Sequence, residues 1–421
     1  MCDKSVVVTN LYGGHNIGDM AIRNQAIEIL TNILPNFHFD LLVENPDHSS
    51  FKFTKNFDYS LSSAPYVYAI NNLNPHFINL NKFGNTTLIV INSLFYILIA
   101  KTFPKFLPSD GFYSYIKKIK EAKAVFAMGG GYFITTHPIK DFFGLILNLL
   151  PLIVSRIFKK KVIVLPSSYG PFASNFHREL FDRIIKDSIF YSRESVSYKK
   201  VSEVTQLSYI FPDLALRYWN DEIFIKPKSN YIILTFRSLL NKNKKLQKKL
   251  ENQLAQFINE IYKKHKLKTI FLPMASNPIE ENDLEVAYEL QKIVNNNNVF
   301  TIKHASTPDE VRNILAGAKL SVCNRLHSAI LSATVNVPFI SISYAHKTIG
   351  FMKDFNLSKY NIDMKVLDSN SLINLSNDLL KPNNYNSYLK ILQNNRLRTL
   401  SQVFSFENHL EKIIYKIINS N

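Results

Sequence analysis

Short runs rich in Val, Ile, Phe and Tyr alternate along this chain with longer amphipathic stretches, and several runs stop at a glycine or an arginine. Hairpins do not produce that rhythm, because they join neighbouring strands through a few residues. Strands separated by a helix-length connection pair in parallel, and the connecting helices cover the faces of the sheet. Residues 6–9, 124–128, 161–166 and 188–193 read as strands of a first sheet. A loop over 13–19, a helix over 20–34 ended by Pro35, and a later helix starting near Glu194 accompany them. Polar residues and Pro227 interrupt the alternation around 220–230,. It restarts with strands over 231–236, 268–273, 299–302, 320–323 and 338–343. Helices are expected up to about His265, then over 281–294, 308–318 and 328–335. At 421 residues the chain is too long for one ordinary core,. The expected fold class is α/β: two Rossmann-like lobes facing a cleft, an N-terminal one over 1–222 and a C-terminal one over 228–380, then a helical tail over 381–421. Residues 36–120, rich in Asn and Phe, fit neither pattern and read as an insertion on the N-terminal sheet.

Composition narrows the function. A hydrophobic fraction of 46% and a charged fraction of 20% belong to a folded protein,. The net charge of +17 suits nucleic acid, an anionic membrane surface or acidic substrates,. Much of it is lysine in helical stretches such as 242–249, which reads as a solvated helix face. Zinc-finger spacing, an RNA-binding signature and a basic arm are all missing, so no nucleic-acid partner is expected. The cysteines, Cys2 and Cys323, give no disulfide framework, and the N-terminus lacks a secretory pattern,. Both point to a cytoplasmic protein. Two apolar segments, 88–100 and 142–154, fall short of the roughly 20 residues that span a bilayer, and basic residues follow each,. Core helices are the expectation, with peripheral contact at the inner, anionic face of the membrane left open. No cluster has metal-ligand spacing, so no metal is expected.

Four constellations carry chemistry. Arg325, Leu326 and His327 follow the apolar run 318–323, where a strand hands over to a helix. Arg supplies a fork matched to carboxylate or phosphate, and His passes a proton near neutral pH. The alternative for an isolated pair is a surface arginine and a core-capping histidine. A second constellation holds Gly13, Gly14, Asn16, Gly18 and Asp19 between the first strand and the first helix. It suits an anion or sugar hydroxyls, with Asp19 equally suited to cap the helix. Gly129, Gly130 and Gly131 end another strand and permit close ligand approach,. Arg193 and Arg237 also stand at strand ends, the binding edge of a parallel sheet, although Arg193 can pair with a neighbour such as Glu194,. Finally Tyr344 and Lys347 follow the last core strand, where Lys347 can neutralise a phosphate and Tyr344 can stack; His346 beside them reads as solvated.

Together Gly14-x-Asn16-x-Gly18-Asp19, Gly129-Gly130-Gly131, Ser192-Arg193-Glu194-Ser195, Pro212-Asp213, Arg325-Leu326-His327 and Tyr344-x-x-Lys347 resemble the polysaccharide pyruvyl transferase family over roughly residues 5–355. The resemblance implies a fold similar to the GT-B glycosyltransferases. It implies transfer of the enolpyruvyl unit of phosphoenolpyruvate onto a sugar diol as a ketal, with release of phosphate. The diol would belong to a cell-surface polysaccharide or its lipid-linked precursor. Phosphoenolpyruvate is then a co-substrate and no cofactor is implied. His327 would be the acid and Asp19 the base. Arg325, Arg237, Arg193, Lys347, Leu326, Tyr344, Asn16, Gly18 and Gly129–Gly131 would line the substrates. Two other readings compete: a nucleotide-sugar glycosyltransferase of the same architecture, and a non-catalytic anion- or glycan-binding scaffold of an envelope-assembly complex. A homo-oligomer is compatible with all three.

Overall fold

A computed structural model describes residues 4–11, 14–43, 53, 56–63, 112–220, 229–239, 243–277 and 281–419. The chain divides into two compact units. Unit 1 takes Met1–Gly13, Ile22–Leu214 and Phe404–Asn421, and unit 2 takes Gly14–Ala21 and Ala215–Val403.

Among the described residues, unit 1 is built on seven strands. They are β1 (Ser5–Leu11), β2 (His38–Val43), β3 (Tyr59–Ser63), β4 (Val125–Ala127), β5 (Val162–Ser167), β6 (Ile189–Ser192) and β7 (Ser208–Ile210). Their order is β3-β2-β1-β4-β5-β6-β7, and every pairing is parallel. Helices α1 (Ile17–Ile33), α2 (Phe112–Glu121), α3 (Phe142–Ile157), α4 (Asn175–Ile185) and α5 (Ser195–Val201) alternate with them. Val6, Val7, Val8 and Leu11 of β1 are all fully buried. A strand apolar on both faces belongs at the centre of a parallel sheet, and β1 lies between β2 and β4,. The apolar segment at 142–154 is α3. Its Leu145, Leu149, Leu150, Leu152 and Val154 pack with Val125, Val162 and Phe181, so it is a core helix. No helix among the described residues is long and apolar enough to cross a membrane. The segment at 88–100, and most of the expected insertion, lie outside the described residues.

Unit 2 carries β8 (Tyr231–Thr235), β9 (Lys268–Phe271), β10 (Ser276–Asn277), β11 (Glu281–Asn282), β12 (Phe300–Ile302), β13 (Ser321–Cys323), β14 (Phe339–Ser343) and β15 (Asn361–Asp363). Six of them form a parallel sheet ordered β12-β9-β8-β13-β14-β15, while β10 and β11 pair as an antiparallel ribbon. Its helices are α6 (Lys244–His265), α7 (Leu284–Val294), α8 (Pro308–Ala316), α9 (Leu326–Thr334), α10 (His346–Asp354), α11 (Ser369–Leu379) and α12 (Pro382–Asn419). Asn243 caps α6 by accepting from the Leu246 amide at 3.0 Å, and Thr307 caps α8 with Pro308 in its first turn,. Lys244, Lys245, Lys248 and Lys249 lie on the exposed face of α6, so this charge is solvated as expected.

Three boundaries differ from the sequence reading. The first helix starts at Ile17, not after 19, so Gly18 and Asp19 occupy its first turn. Asn16 supplies the cap expected of Asp19, its side chain accepting from the Gly18 amide at 2.9 Å. Residues 281–282 are strand, not helix, and α7 begins at Leu284. The last helix is shared: Tyr388 donates to the Phe339 carbonyl at 2.7 Å in unit 2, whereas the stretch from Phe404 belongs to unit 1.

Candidate active site

Unit 2 gathers Arg237, Arg325, Leu326, His327, Tyr344 and Lys347 at the carboxyl ends of three adjacent strands. Arg237 follows β8, Arg325 follows β13, and Tyr344 follows β14 with Lys347 just inside α10. This edge is where a parallel α/β sheet binds ligands, because each strand there feeds a helix N-terminus. Two of those N-termini lack a side-chain cap: α9 begins after Arg325 and α10 after Ala345, and neither residue makes a capping bond. An uncapped N-terminus leaves amide donors and the positive end of the helix dipole to an anion. His346 and Lys347 stand in the first turn of α10, where a cation opposes the dipole unless an anion lies between them,.

The side chains at this edge are fixed by one another. The Arg237 guanidinium stacks on the Tyr344 ring, 4.6 Å from its centroid,. The Arg237 amide donates to Asn324 Oδ1 at 3.1 Å, and Asn324 Nδ2 donates to the Ile342 carbonyl at 2.8 Å. Fully buried Asn324 thus ties the ends of β8, β13 and β14 together. Arg325 is buried against Asp283. Its Nη2 donates to Oδ1 at 2.6 Å and its Nε to Oδ2 at 2.9 Å, a bidentate pair,. Asp283 is 0% exposed and also accepts from the Met274 and Ala275 amides at 3.0 and 3.1 Å. Burial raises its carboxyl above the usual carboxylate range, against the opposing pull of Arg325 and of those two amides,.

His327, half-buried, is the second residue of α9. Its neighbour is Gly18 at the start of α1: a Cβ on Gly18 would run into the His327 Nδ1 edge. That start is pinned by the segment before the β10–β11 ribbon. The Ile17 amide donates to the Met274 carbonyl at 2.9 Å, and the Ser276 amide to the His15 carbonyl at 3.0 Å. Asn16 and Asp19 therefore belong to the same unit as His327, as does the buried Leu326.

The remaining residues form a separate group in unit 1. Gly129 and Gly130 follow β4 under Pro166 and Ser167 of β5: a Cβ on Gly129 would meet the Pro166 carbonyl oxygen at 2.6 Å. Gly130 holds φ at 146°, a backbone region that favours glycine, and Gly131 follows it,. Close packing of strand ends is thus one reason for the triplet. Arg193 after β6 is buried, donating from Nη1 to Asp213 at 2.7 Å and from Nε to Ser168 Oγ at 2.9 Å. Its ion pair is with Asp213 and not with Glu194, whose carboxylate caps α5 through the Ser197 amide at 3.0 Å. Gly13 lies outside the described residues.

Two residues escaped the sequence reading. Asn324 was adjacent to the Arg–Leu–His triplet but drew no role. Asp283 fell inside the helix expected over 281–294 and drew no role of its own. It stands at the cap position of α7, but its side chain makes no cap and turns to Arg325 instead.

The sequence profile of the polysaccharide pyruvyl transferase family matches residues 16–346, most of the chain. This chain belongs to that family. The resemblance noted in the sequence is thereby borne out. The amylovoran biosynthesis protein AmsJ of Erwinia amylovora is 24% identical over 286 residues, covering 62% of this chain and 66% of that protein. The chain therefore spans just under two thirds of that curated relative. Solved structures of similar fold include a UDP-GlcNAc 2-epimerase from Neisseria meningitidis bound to UDP-GlcNAc, with a TM-score of 0.56 and 11% identity over 99% of this chain and 100% of that one. Another is a UGT transferase from Siraitia grosvenorii in complex with UDP, with a TM-score of 0.58 and 11% identity over 98% and 99%. At such identities the likeness describes the fold alone, which is GT-B-like.

Proposed function

We propose that this chain moves the enolpyruvyl group of phosphoenolpyruvate onto two hydroxyls of a saccharide, forming a ketal and releasing phosphate. The observation that carries this reading is the pair of uncapped helix starts, α9 and α10, with Arg325, His327 and Lys347 in or beside their first turns. Phosphoenolpyruvate bears a carboxylate and a phosphate a few ångströms apart, and two adjacent anion sites on one sheet edge suit it.

The chemistry follows in balanced steps. Lys347, Arg237 and the α10 amides hold the phosphate, while Arg325 and the start of α9 hold the carboxylate. His327 donates a proton to the methylene carbon, which becomes a methyl group and leaves an oxocarbenium-like centre beside it. A first sugar hydroxyl adds there and gives its proton to Asp19. Phosphate then departs with its bonding electron pair, and the second hydroxyl closes the ketal as its proton returns to His327. The cations stabilise charge that grows on the departing phosphate. Asn16, in the same unit as His327, is the proposed contact to the saccharide. We assign the acceptor to a cell-surface polysaccharide or its lipid-linked precursor, met at the cytoplasmic face of the membrane.

Calorimetry against phosphoenolpyruvate, with a UDP-sugar as competing ligand, tests the reading. Lys347→Ala should lose phosphoenolpyruvate binding, and His327→Gln should bind it but not turn over. These two are preferred to Arg325→Ala, which would leave Asp283 buried without its cation. Affinity for the nucleotide sugar without affinity for phosphoenolpyruvate would replace the proposal with glycosyl transfer.

A further inference from the structure

We propose that Asp283 is a positioning residue for His327, one carboxylate that holds both walls of the imidazole's seat. The inference rests on the donor-site reading above and names the group that makes it work.

One wall is the start of α9. Arg325 precedes that helix, and His327 is its second residue, so whatever fixes Arg325 fixes the backbone from which the imidazole projects. Asp283 fixes it through two bonds, at 2.6 and 2.9 Å, along one edge of the guanidinium. The other wall is Gly18 in the first turn of α1. It is carried by His15–Ile17, which hydrogen-bond to Met274 and Ser276. Asp283 grips that same segment from behind: its Oδ2 accepts from the Met274 and Ala275 amides, and its own amide donates to the Ala275 carbonyl at 3.0 Å. The carboxylate therefore sits at the junction of two backbone segments that are far apart in sequence and meet at His327.

Two features argue that geometry, rather than stability, explains the residue. Asp283 stands at the cap position of α7 and does not cap it. A buried ion pair also gains little net stability, because desolvating both charges offsets their attraction. A 0% exposed carboxylate in that place is better accounted for by what it holds still.

The test compares Asp283→Asn and Asp283→Glu with the unaltered protein. Both keep an oxygen acceptor, and the glutamate variant also keeps the charge. The first readout is the ring-nitrogen NMR signal of His327, which needs no activity. It should move in both variants, with the other histidine signals unmoved. The second is steady-state pyruvyl transfer: kcat should fall about 100-fold, the effect of misplacing a reacting group by about an ångström, while KM for phosphoenolpyruvate changes less than tenfold. The alkaline limb of the kcat–pH profile, where a general acid loses its proton, should shift with it. A merely structural role would lower the folded fraction and leave KM, the pH profile and the His327 signal of the folded molecules unchanged, and that result overturns the proposal. Should Asp283→Asn not fold, Asp283→Glu decides: wild-type kcat and an unmoved His327 signal would also overturn it. If the unaltered protein transfers no pyruvyl group, the functional reading fails, and the NMR comparison still decides the positioning role.

Discussion

At the scale of single residues, the site is defined by what its neighbours cannot be. Gly18 has no side chain, and the space a methyl group would need is filled by the His327 ring. Gly18→Ala must therefore displace either the imidazole or the start of α1. Alanine is otherwise well suited to a first helical turn, so the fold should survive. Turnover should fall about 100-fold, in line with an ångström-scale misplacement of a catalytic group, with little change in melting temperature. Wild-type turnover by a folded Gly18→Ala protein would show that His327 is not the acid. The sequence displayed both residues but not their contact. Gly18 and His327 are brought together by hydrogen bonds among His15, Ile17, Met274 and Ser276, which no local pattern records. Asp283 was less legible still, because it lay inside the helix expected over 281–294 and its partner Arg325 is distant in sequence.

At the scale of elements, the strands and helices were largely legible, because apolar runs bounded by breakers are a local signal. Errors fell where a polar side chain decides a boundary. Asn16 starts α1 three residues earlier than the apolar pattern does. The uncapped starts of α9 and α10 allow a sharper test of the anion reading. Ala345 stands at the cap position of α10 without a side chain able to cap it. Ala345→Asp should supply the missing acceptor and raise stability by about 0.5–2 kcal/mol. It should also place a negative charge where the donor's phosphate is proposed to sit, and so abolish phosphoenolpyruvate binding. A higher denaturation midpoint together with lost binding would mark α10 as a helix start kept uncapped for a ligand. A more stable protein with undiminished binding would move the phosphate elsewhere.

At the scale of the whole molecule, the division into two units was legible as a restart of the strand–helix rhythm, but the path of the chain between them was not. The strand–helix rhythm breaks once, near 222–228, and leaves a helical tail. The structure returns Gly14–Ala21 to unit 2 and Phe404–Asn421 to unit 1. Both are helical segments whose partners lie hundreds of residues away, and amphipathicity alone says only that such a segment is buried, not against what. The last stretch completes unit 1 with an aromatic group. Phe406 and His409 pack on Tyr191, whose hydroxyl lies 3.0 Å from His409 Nδ1. Burial, and secondarily Lys412, lowers the His409 pKa from the ordinary 6.5. A histidine depressed in the native state favours its neutral form there. It therefore supports folding fully above the unfolded value near 6.5, and loses that support as pH falls through the lower folded value. Chemical denaturation of the wild-type protein should show stability declining on acidification through this window. His409→Gln retains a hydrogen-bonding partner for Tyr191 but does not titrate, so its decline should be shallower. If both proteins lose stability in parallel, the docking of α12 on unit 1 is insensitive to His409 protonation, and the acid sensitivity belongs to other groups.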